Sequence, residues 1–265
     1  IAFEVGPLTV RWYGVFTAGG FLAAFLLLMH RARKSSMLTQ ERAADLAFFG
    51  IIGAILGSRV LYVLENMAYF SNHPAQIIRI DQGGLVFYGG FAGATAAIII
   101  ASLLRGHSIG GVADLFAPAI PFGHAFGRIG CFLNGCCFGK PWDGFLAVEY
   151  PFQHYSDIAR IQAENGVAAP IAPVVPVQLI AAGGNFAICA FLLIWERLRN
   201  RGQSNGNLLL LYVISYGIVR FLTEFLRGDY LTRTAGLTSA QWWCIVAVVA
   251  AAGIRVWNGH RGKTA

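Results

Sequence analysis

Arg220 and Glu224 lie one helical turn apart in a run, Leu208 to Arg227, that is otherwise apolar enough to cross a membrane. At helical spacing Tyr216, Arg220, Thr223, Glu224 and Arg227 fall on one stripe, and Leu, Ile, Val and Phe cover most of the rest. A charge near the bilayer centre costs about 2.5–3.5 kcal/mol on insertion scales, and a guanidinium cannot escape by losing its proton. The pair is therefore read as part of a working site. Arg128 stands in the glycine-rich segment Phe122–Gly139 with Asn134 as a neutral hydrogen-bonding group. A second fixed positive charge makes an anion the natural ligand. Tyr88, between the pairs Gly83-Gly84 and Gly89-Gly90, could donate to an oxyanion or take a proton if arginines lower its pKa. It fits an interfacial aromatic anchor equally well. Arg59 is deep enough in its apolar run to need a partner, either a ligand or the neighbouring Glu65.

These residues need helices in lipid to position them. The chain has 265 residues, 56% hydrophobic and 12% charged, with a mean hydropathy of +0.59. A soluble domain carries about 25% charged residues, so the composition points to an all-α integral membrane protein. Apolar runs long enough to span are Tyr13–Met29, Ala44–Leu64, Leu85–Leu104, Val175–Trp195, Leu208–Leu226 and Ala240–Trp257. A weaker run, Ile109–Phe126, contains Asp114, Pro118 and Pro121 and is expected to be a broken helix covered by protein. About seven spans follow, forming one polytopic domain over residues 1–265. The 127–174 connection is expected to lie outside as a cap, with a short helix at Ile158–Asn165 and with His154 and Tyr155 in its loop. Gly50, Gly53 and Gly57 offer a flat face for close helix packing.

Charge placement orients the spans. Arg31, Arg33, Lys34 and Arg42 follow the first, Arg105 the third and Arg197, Arg199 and Arg201 the fifth, while Arg255, Arg261 and Lys263 close the chain. All fall on one side if the spans alternate, which places the N-terminus outside and the C-terminus in the cytoplasm. The net charge of +7 comes from these flanks, so no nucleic-acid partner is expected. The first apolar run exceeds the core of a cleavable signal and has a basic C-terminal flank, so it is expected to be retained. The absence of an initiator methionine suggests a trimmed chain. Of five cysteines, Cys189 and Cys244 lie in apolar runs and read as packing residues. Cys131, Cys136 and Cys137 form the one cluster, near His124. Their spacing fits no common zinc motif, so no metal is expected.

Four segments in chain order resemble the bacterial prolipoprotein diacylglyceryl transferase family. They are Trp12-Tyr13-Gly14, then Gly83-Gly84-Leu85-Val86-Phe87-Tyr88-Gly89-Gly90, then Asp114 to Gly123 continuing into Gly127-Arg128-Ile129-Gly130-Cys131-Phe132-Leu133-Asn134-Gly135, and finally Tyr216-Gly217 with Arg220, Glu224 and Arg227. The sequence departs from the family at three places. Tyr88 stands where much of the family has a histidine, and Cys131 replaces a commonly essential asparagine. Val175-Pro176-Val177-Gln178 keeps only the proline and glutamine of the element before the fifth span.

The resemblance implies an enzyme of the bacterial inner membrane. It would move diacylglyceryl from phosphatidylglycerol to the lipobox cysteine in the signal peptide of a preprolipoprotein, among membrane lipids, and release glycerol phosphate. Tyr88, Arg128, Arg220 and Glu224 are the expected catalytic residues. Tyr13, Arg59, Cys131, Asn134, Gly139, Gln178, Tyr216 and Arg227 are expected to bind substrate. No metal or organic cofactor is required. Thiolate attack at a glyceryl carbon expels phosphate, and preorganised arginines in a water-poor site stabilise the charge that develops. Glu224 would orient Arg220 or help to deprotonate the thiol. Two alternatives remain: a non-catalytic lipid- or lipoprotein-binding relative, and a transporter of an anionic solute, although no inverted repeat is visible.

Overall fold

All six strong apolar runs form helices: α1 (Trp12–Arg33), α2 (Gln40–Glu65), α4 (Phe87–Leu104), α8 (Val177–Leu198), α9 (Asn207–Glu224) and α10 (Ser239–Thr264). Each is long and apolar enough to cross a membrane, with Ser239–Asn258 the apolar part of α10. Their outer faces carry exposed leucine, isoleucine, phenylalanine and tryptophan, as lipid contact requires. The protein is a multi-pass membrane protein. The computed structural model describes residues 3–5, 8–80, 83–150, 156–164, 172–199, 206–229 and 234–264. His154, Tyr155, Asn165 and Arg201, named above, lie outside the described residues.

The weaker run, expected as a broken seventh crossing, departs from its expected bounds. It forms α5 (Ile109–Phe116) and α6 (Ala119–Asn134), so the second helix continues past Phe126 and the connection expected from residue 127 begins only at Gly135. Pro118 has no N–H to continue the ladder of α5, and Pro121 sits in the first turn of α6, where amides need no helical partner. A short antiparallel hairpin, β1 (Phe3–Val5) with β2 (Leu8–Val10), precedes α1 and was not foreseen.

The chain divides into two compact units, one of Ile1–Leu26 with Phe116–Ala265 and one of Leu27–Leu115. In the second unit α2 lies against α4 through glycines. A Cβ on Gly53 would stand 2.5 Å from the Gly93 carbonyl oxygen, and one on Gly57 would stand 2.9 Å from Gly93 Cα. The obstacles are backbone, which cannot swing aside. Gly57→Val is therefore expected to destabilise the protein by about 1–3 kcal/mol, read as a lower unfolding midpoint in detergent; an unchanged midpoint would mean that the pair is looser than described. A four-residue helix, α3 (Met67–Phe70), follows α2. Arg59 reaches from α2 to the carbonyls of Gln76, Ile77, Gly83 and Gly84 at 2.6–3.2 Å and fixes that loop.

In the first unit α6 packs on α1 where a Cβ on Gly20 would meet the Gly123 carbonyl oxygen at 2.8 Å. Ile188, Leu192 and Leu208 form a core between α8 and α9 with Ala117. The cap has its own small core of Phe138, Tyr150, Ile158 and Val174. Ile158 comes from α7 (Ser156–Glu164), the short helix expected there. Tyr150 Oη donates to the Phe132 carbonyl at 3.2 Å and ties the cap to the end of α6.

Candidate active site

The stripe on α9 forms as its spacing requires. Arg220 Nη1 donates to Glu224 Oε2, and Thr238 Oγ1 donates to the other oxygen, Oε1, at 2.9 Å. Glu224 is fully buried and both its oxygens are engaged. Thr238 and Gln241 form a capping box at the start of α10: Gln241 Oε1 accepts from Thr238 N at 3.0 Å and Thr238 Oγ1 accepts from Gln241 N at 3.3 Å. Gln241 Nε2 also donates to the Phe221 carbonyl at 3.2 Å, so the cap of one helix braces the working face of another.

Arg227 follows α9 and pairs with Asp229 through two donors, Nε at 2.8 Å from Oδ1 and Nη2 on Oδ2. Its Nε is also 4.0 Å from Glu224 Oε2. A crossing of three strands of backbone holds it in place. Gly139 bridges Arg227, Lys140 N donates to the Leu226 carbonyl at 2.8 Å, and Gly228 N donates to the Phe138 carbonyl at 3.1 Å. Gly139 N donates to the Val175 carbonyl at 3.1 Å, which brings in the approach to α8.

Arg128, on α6, donates from Nε to His124 Nε2 at 3.0 Å. His124 is therefore a neutral acceptor there, with its proton on Nδ1, as the hydrogen bond assigns. Among the described residues no carboxylate pairs with Arg128. His124, Arg128, Cys137, Gln178, Asn185, Tyr216, Arg220 and Arg227 line one narrow cleft, with about 340 Å³ of unfilled space when its open mouth is counted. Three arginines against the carboxylates of Glu224 and Asp229 leave one net positive charge, the complement of a monoanion. Buried acceptors face the same space. Gln178 donates from Nε2 to the Cys136 carbonyl at 2.9 Å and Asn185 from Nδ2 to the Ala181 carbonyl at 2.7 Å. The amide oxygens of both have no partner among the described residues. A ligand with hydroxyl donors would satisfy them.

The three clustered cysteines sit at the end of α6. Gly135 adopts the left-handed conformation (φ +70°) as the C-terminal cap. Gly135 N donates to the Phe132 carbonyl and Cys136 N to the Cys131 carbonyl, both at 3.2 Å, a Schellman motif. The turn folds Cys136 and Cys137 back over Cys131, so that all three sulfurs lie within 4.8 Å of one another. Cys137 is itself left-handed (φ +59°). Hydrogen bonds from Cys131 and Cys136 hold its thiol below the usual range, with Arg227 and Arg128 adding to the effect.

Of the residues expected from sequence, the fold brings Arg128, Gln178, Tyr216, Arg220 and Arg227 to the cleft, with Glu224 behind Arg220. Cys131 belongs to the sulfur cluster beside it. Gly139 makes the backbone crossing, and Asn134 is exposed at the end of α6. Tyr13 packs from α1 on Gly130, where a Cβ would meet its carbonyl oxygen at 3.3 Å. Arg59 and Tyr88 belong to the other unit. The donors of Arg59 are largely taken by loop carbonyls, and Tyr88 is 73% exposed at the start of α4. Sequence reasoning missed Asn185, Thr238 and Gln241. Asn185 stands two turns after Gln178 on the same face of α8. The Thr238-x-x-Gln241 spacing is itself a capping-box signature.

Residues 1–257 match the family described as prolipoprotein diacylglyceryl transferase. Proteins from Burkholderia mallei (strain SAVP1) and Burkholderia thailandensis are each 34% identical over 292 residues, covering 100% of this chain and 96% of the relative. Both carry the name phosphatidylglycerol–prolipoprotein diacylglyceryl transferase.

Proposed function

The chain belongs to the prolipoprotein diacylglyceryl transferase family, and from that membership we propose that its arginine-lined cleft works on the phosphate of phosphatidylglycerol. The enzyme transfers diacylglyceryl from phosphatidylglycerol to a prolipoprotein. The acceptor is the thiol of the lipobox cysteine. Its sulfur bonds to the glyceryl carbon, the carbon–oxygen bond to phosphate breaks, and glycerol phosphate departs with the electron pair on oxygen. The carrying observation is the convergence of Arg128 and Arg220 on one cleft with a surplus of one positive charge, which matches a phosphodiester monoanion. Guanidinium groups fixed before the reaction stabilise the oxygen on which charge develops better than mobile water does. Glu224 orients Arg220 rather than serving as the thiol base, since its carboxylate is fully buried behind Arg220 and Thr238 and does not line the cleft. The orphan amide oxygens of Gln178 and Asn185 suit the two hydroxyls of the glycerol head group.

The purified protein is expected to move labelled diacylglyceryl from phosphatidylglycerol vesicles to a lipobox peptide, and not to the same peptide with its cysteine replaced by serine. Binding of phosphatidylglycerol without transfer to any lipobox peptide would favour the non-catalytic relative.

Orientation follows from the helix ends. Arg31 and Arg33 close α1, Arg105 caps α4 and Arg197 closes α8. These ends share one side if the crossings alternate, so that side faces the cytoplasm of a bacterial inner membrane, with residues 135–174 outside. In whole cells an impermeant thiol reagent is expected to label a cysteine introduced at Trp142 and not one introduced at Arg199. The reverse pattern would invert the topology.

A further inference from the structure

The sulfur cluster has no part, as a set, in the transfer step described above. Packing does not account for it either. Cys137 holds a left-handed backbone (φ +59°) that a non-glycine residue rarely adopts. The result is three thiols facing one another at the wall of the cleft, with Arg128 and Arg227 lining the same space. We propose that Cys131, Cys136 and Cys137 bind a divalent cation of the zinc type, and that the acceptor cysteine of the peptide substrate enters as its fourth ligand.

Geometry favours this ion. Four sulfurs at a Zn–S distance of about 2.3 Å in a tetrahedron stand about 3.8 Å apart. Sulfurs already within 4.8 Å need to close by only about 1 Å or less. Thiolates select zinc over the hard cations magnesium and calcium. A zinc site with three protein ligands leaves one position for a water or a substrate, as catalytic sites do. Adjacent cysteines at positions 136 and 137 are poor chelators in an extended chain. The Schellman turn removes that objection by bringing Cys131 over them from the preceding helix.

The inference rests on the transferase reading and answers a need of it. A thiol with a pKa near 8.5 is mostly protonated at neutral pH, and Glu224 is already committed to Arg220 and Thr238. A thiol that coordinates zinc gives up its proton to solvent and keeps its nucleophilic lone pair. That sulfur attacks the glyceryl carbon and the phosphate leaves toward Arg128 and Arg220. The product thioether is neutral and a weaker ligand, so it departs and the site is free again. No electron is exchanged with the metal.

The test uses the full-length protein, purified in detergent under reducing conditions without chelators. About one zinc per chain is expected by elemental analysis. Exchange for cobalt should give a thiolate-to-metal charge-transfer band, and adding the lipobox peptide should intensify and shift it, while its serine analogue should not. Cys131→Ser, Cys136→Ser and Cys137→Ser should each lower metal content about tenfold or more, and Cys244→Ser should leave it unchanged. The wild-type measurements stand even if a serine variant fails to fold. Transfer by metal-free protein, a missing cobalt band, or a disulfide among the three cysteines in active enzyme would each overturn the proposal and leave the transferase reading intact. A cobalt band indifferent to the peptide would remove the fourth-ligand role. Metal and peptide binding without any transfer would instead count against the transferase reading.

Discussion

Arg220→Gln is expected to lower diacylglyceryl transfer about 10²–10³-fold, the scale found when one preorganised donor to a developing oxyanion is removed. Arg128→Gln should fall in the same range, because its guanidinium lines the same cleft and no carboxylate among the described residues competes for it. Initial rates with labelled phosphatidylglycerol measure both. Rates within about threefold of wild type for both variants would remove the arginines from the reaction, since such a change is below 1 kcal/mol. Glu224 supplies an internal check. Removing it alone leaves Arg220 without its buried partner, and removing Arg220 alone leaves a buried carboxylate. The double variant Arg220→Gln/Glu224→Gln should therefore be no slower than Arg220→Gln, and the two losses should not add. Additive losses would mean that Glu224 has a separate task.

Tyr88→Phe should lower transfer about 10²-fold while phosphatidylglycerol binding survives, if the tyrosine hydroxyl takes the part of the histidine found at this place in much of the family. The side chain is 73% exposed and flanked by Phe87 at a ring distance of 5.9 Å, so loss of one hydroxyl should disturb no packing. Tyr88→His should retain measurable activity, because imidazole can also donate or accept there. A Tyr88→Phe enzyme with the wild-type rate would make Tyr88 an interfacial anchor.

Much of this architecture is legible in one dimension, and for a physical reason. In lipid a backbone must form helices, so every apolar run of sufficient length became one. Arg220 and Glu224 were visible because burial of charge is rare enough to signal a site, and their spacing of four residues fixed their pairing. The second arginine was visible as chemistry but not as a neighbour: only tertiary folding brings Arg128 of α6 to the cleft of α9. The end of α6 lies beyond its expected bound because the glycine-rich stretch after Phe126 looks like the start of a loop, whereas it stays helical to Asn134, with Gly130 set close against Tyr13 and Phe16 of α1. The approach of the three cysteines is not legible in their linear spacing, because a Schellman turn reverses the chain between Cys131 and Cys136. Thr238 and Gln241 could have been found from their capping-box spacing, but not their purpose, which depends on Glu224 lying beneath them.

The crossing of Gly139 and Gly228 restricts how this lineage can change. A Cβ on Gly139 would stand 3.0 Å from the Leu226 carbonyl oxygen and closer still to that of Val175, and one on Gly228 would meet Gly139 backbone and stand 2.9 Å from Lys140 N. For both residues the obstacles are main chain: Val175 and Leu226 for Gly139, and Gly139 with Lys140 for Gly228. No side-chain change elsewhere makes room, because main chain cannot be mutated away. Drift at either position therefore has no single-step suppressor. A descendant that needed a wider mouth would have to gain it by inserting residues in the cap, so variation among such enzymes should appear there as length rather than as spelling.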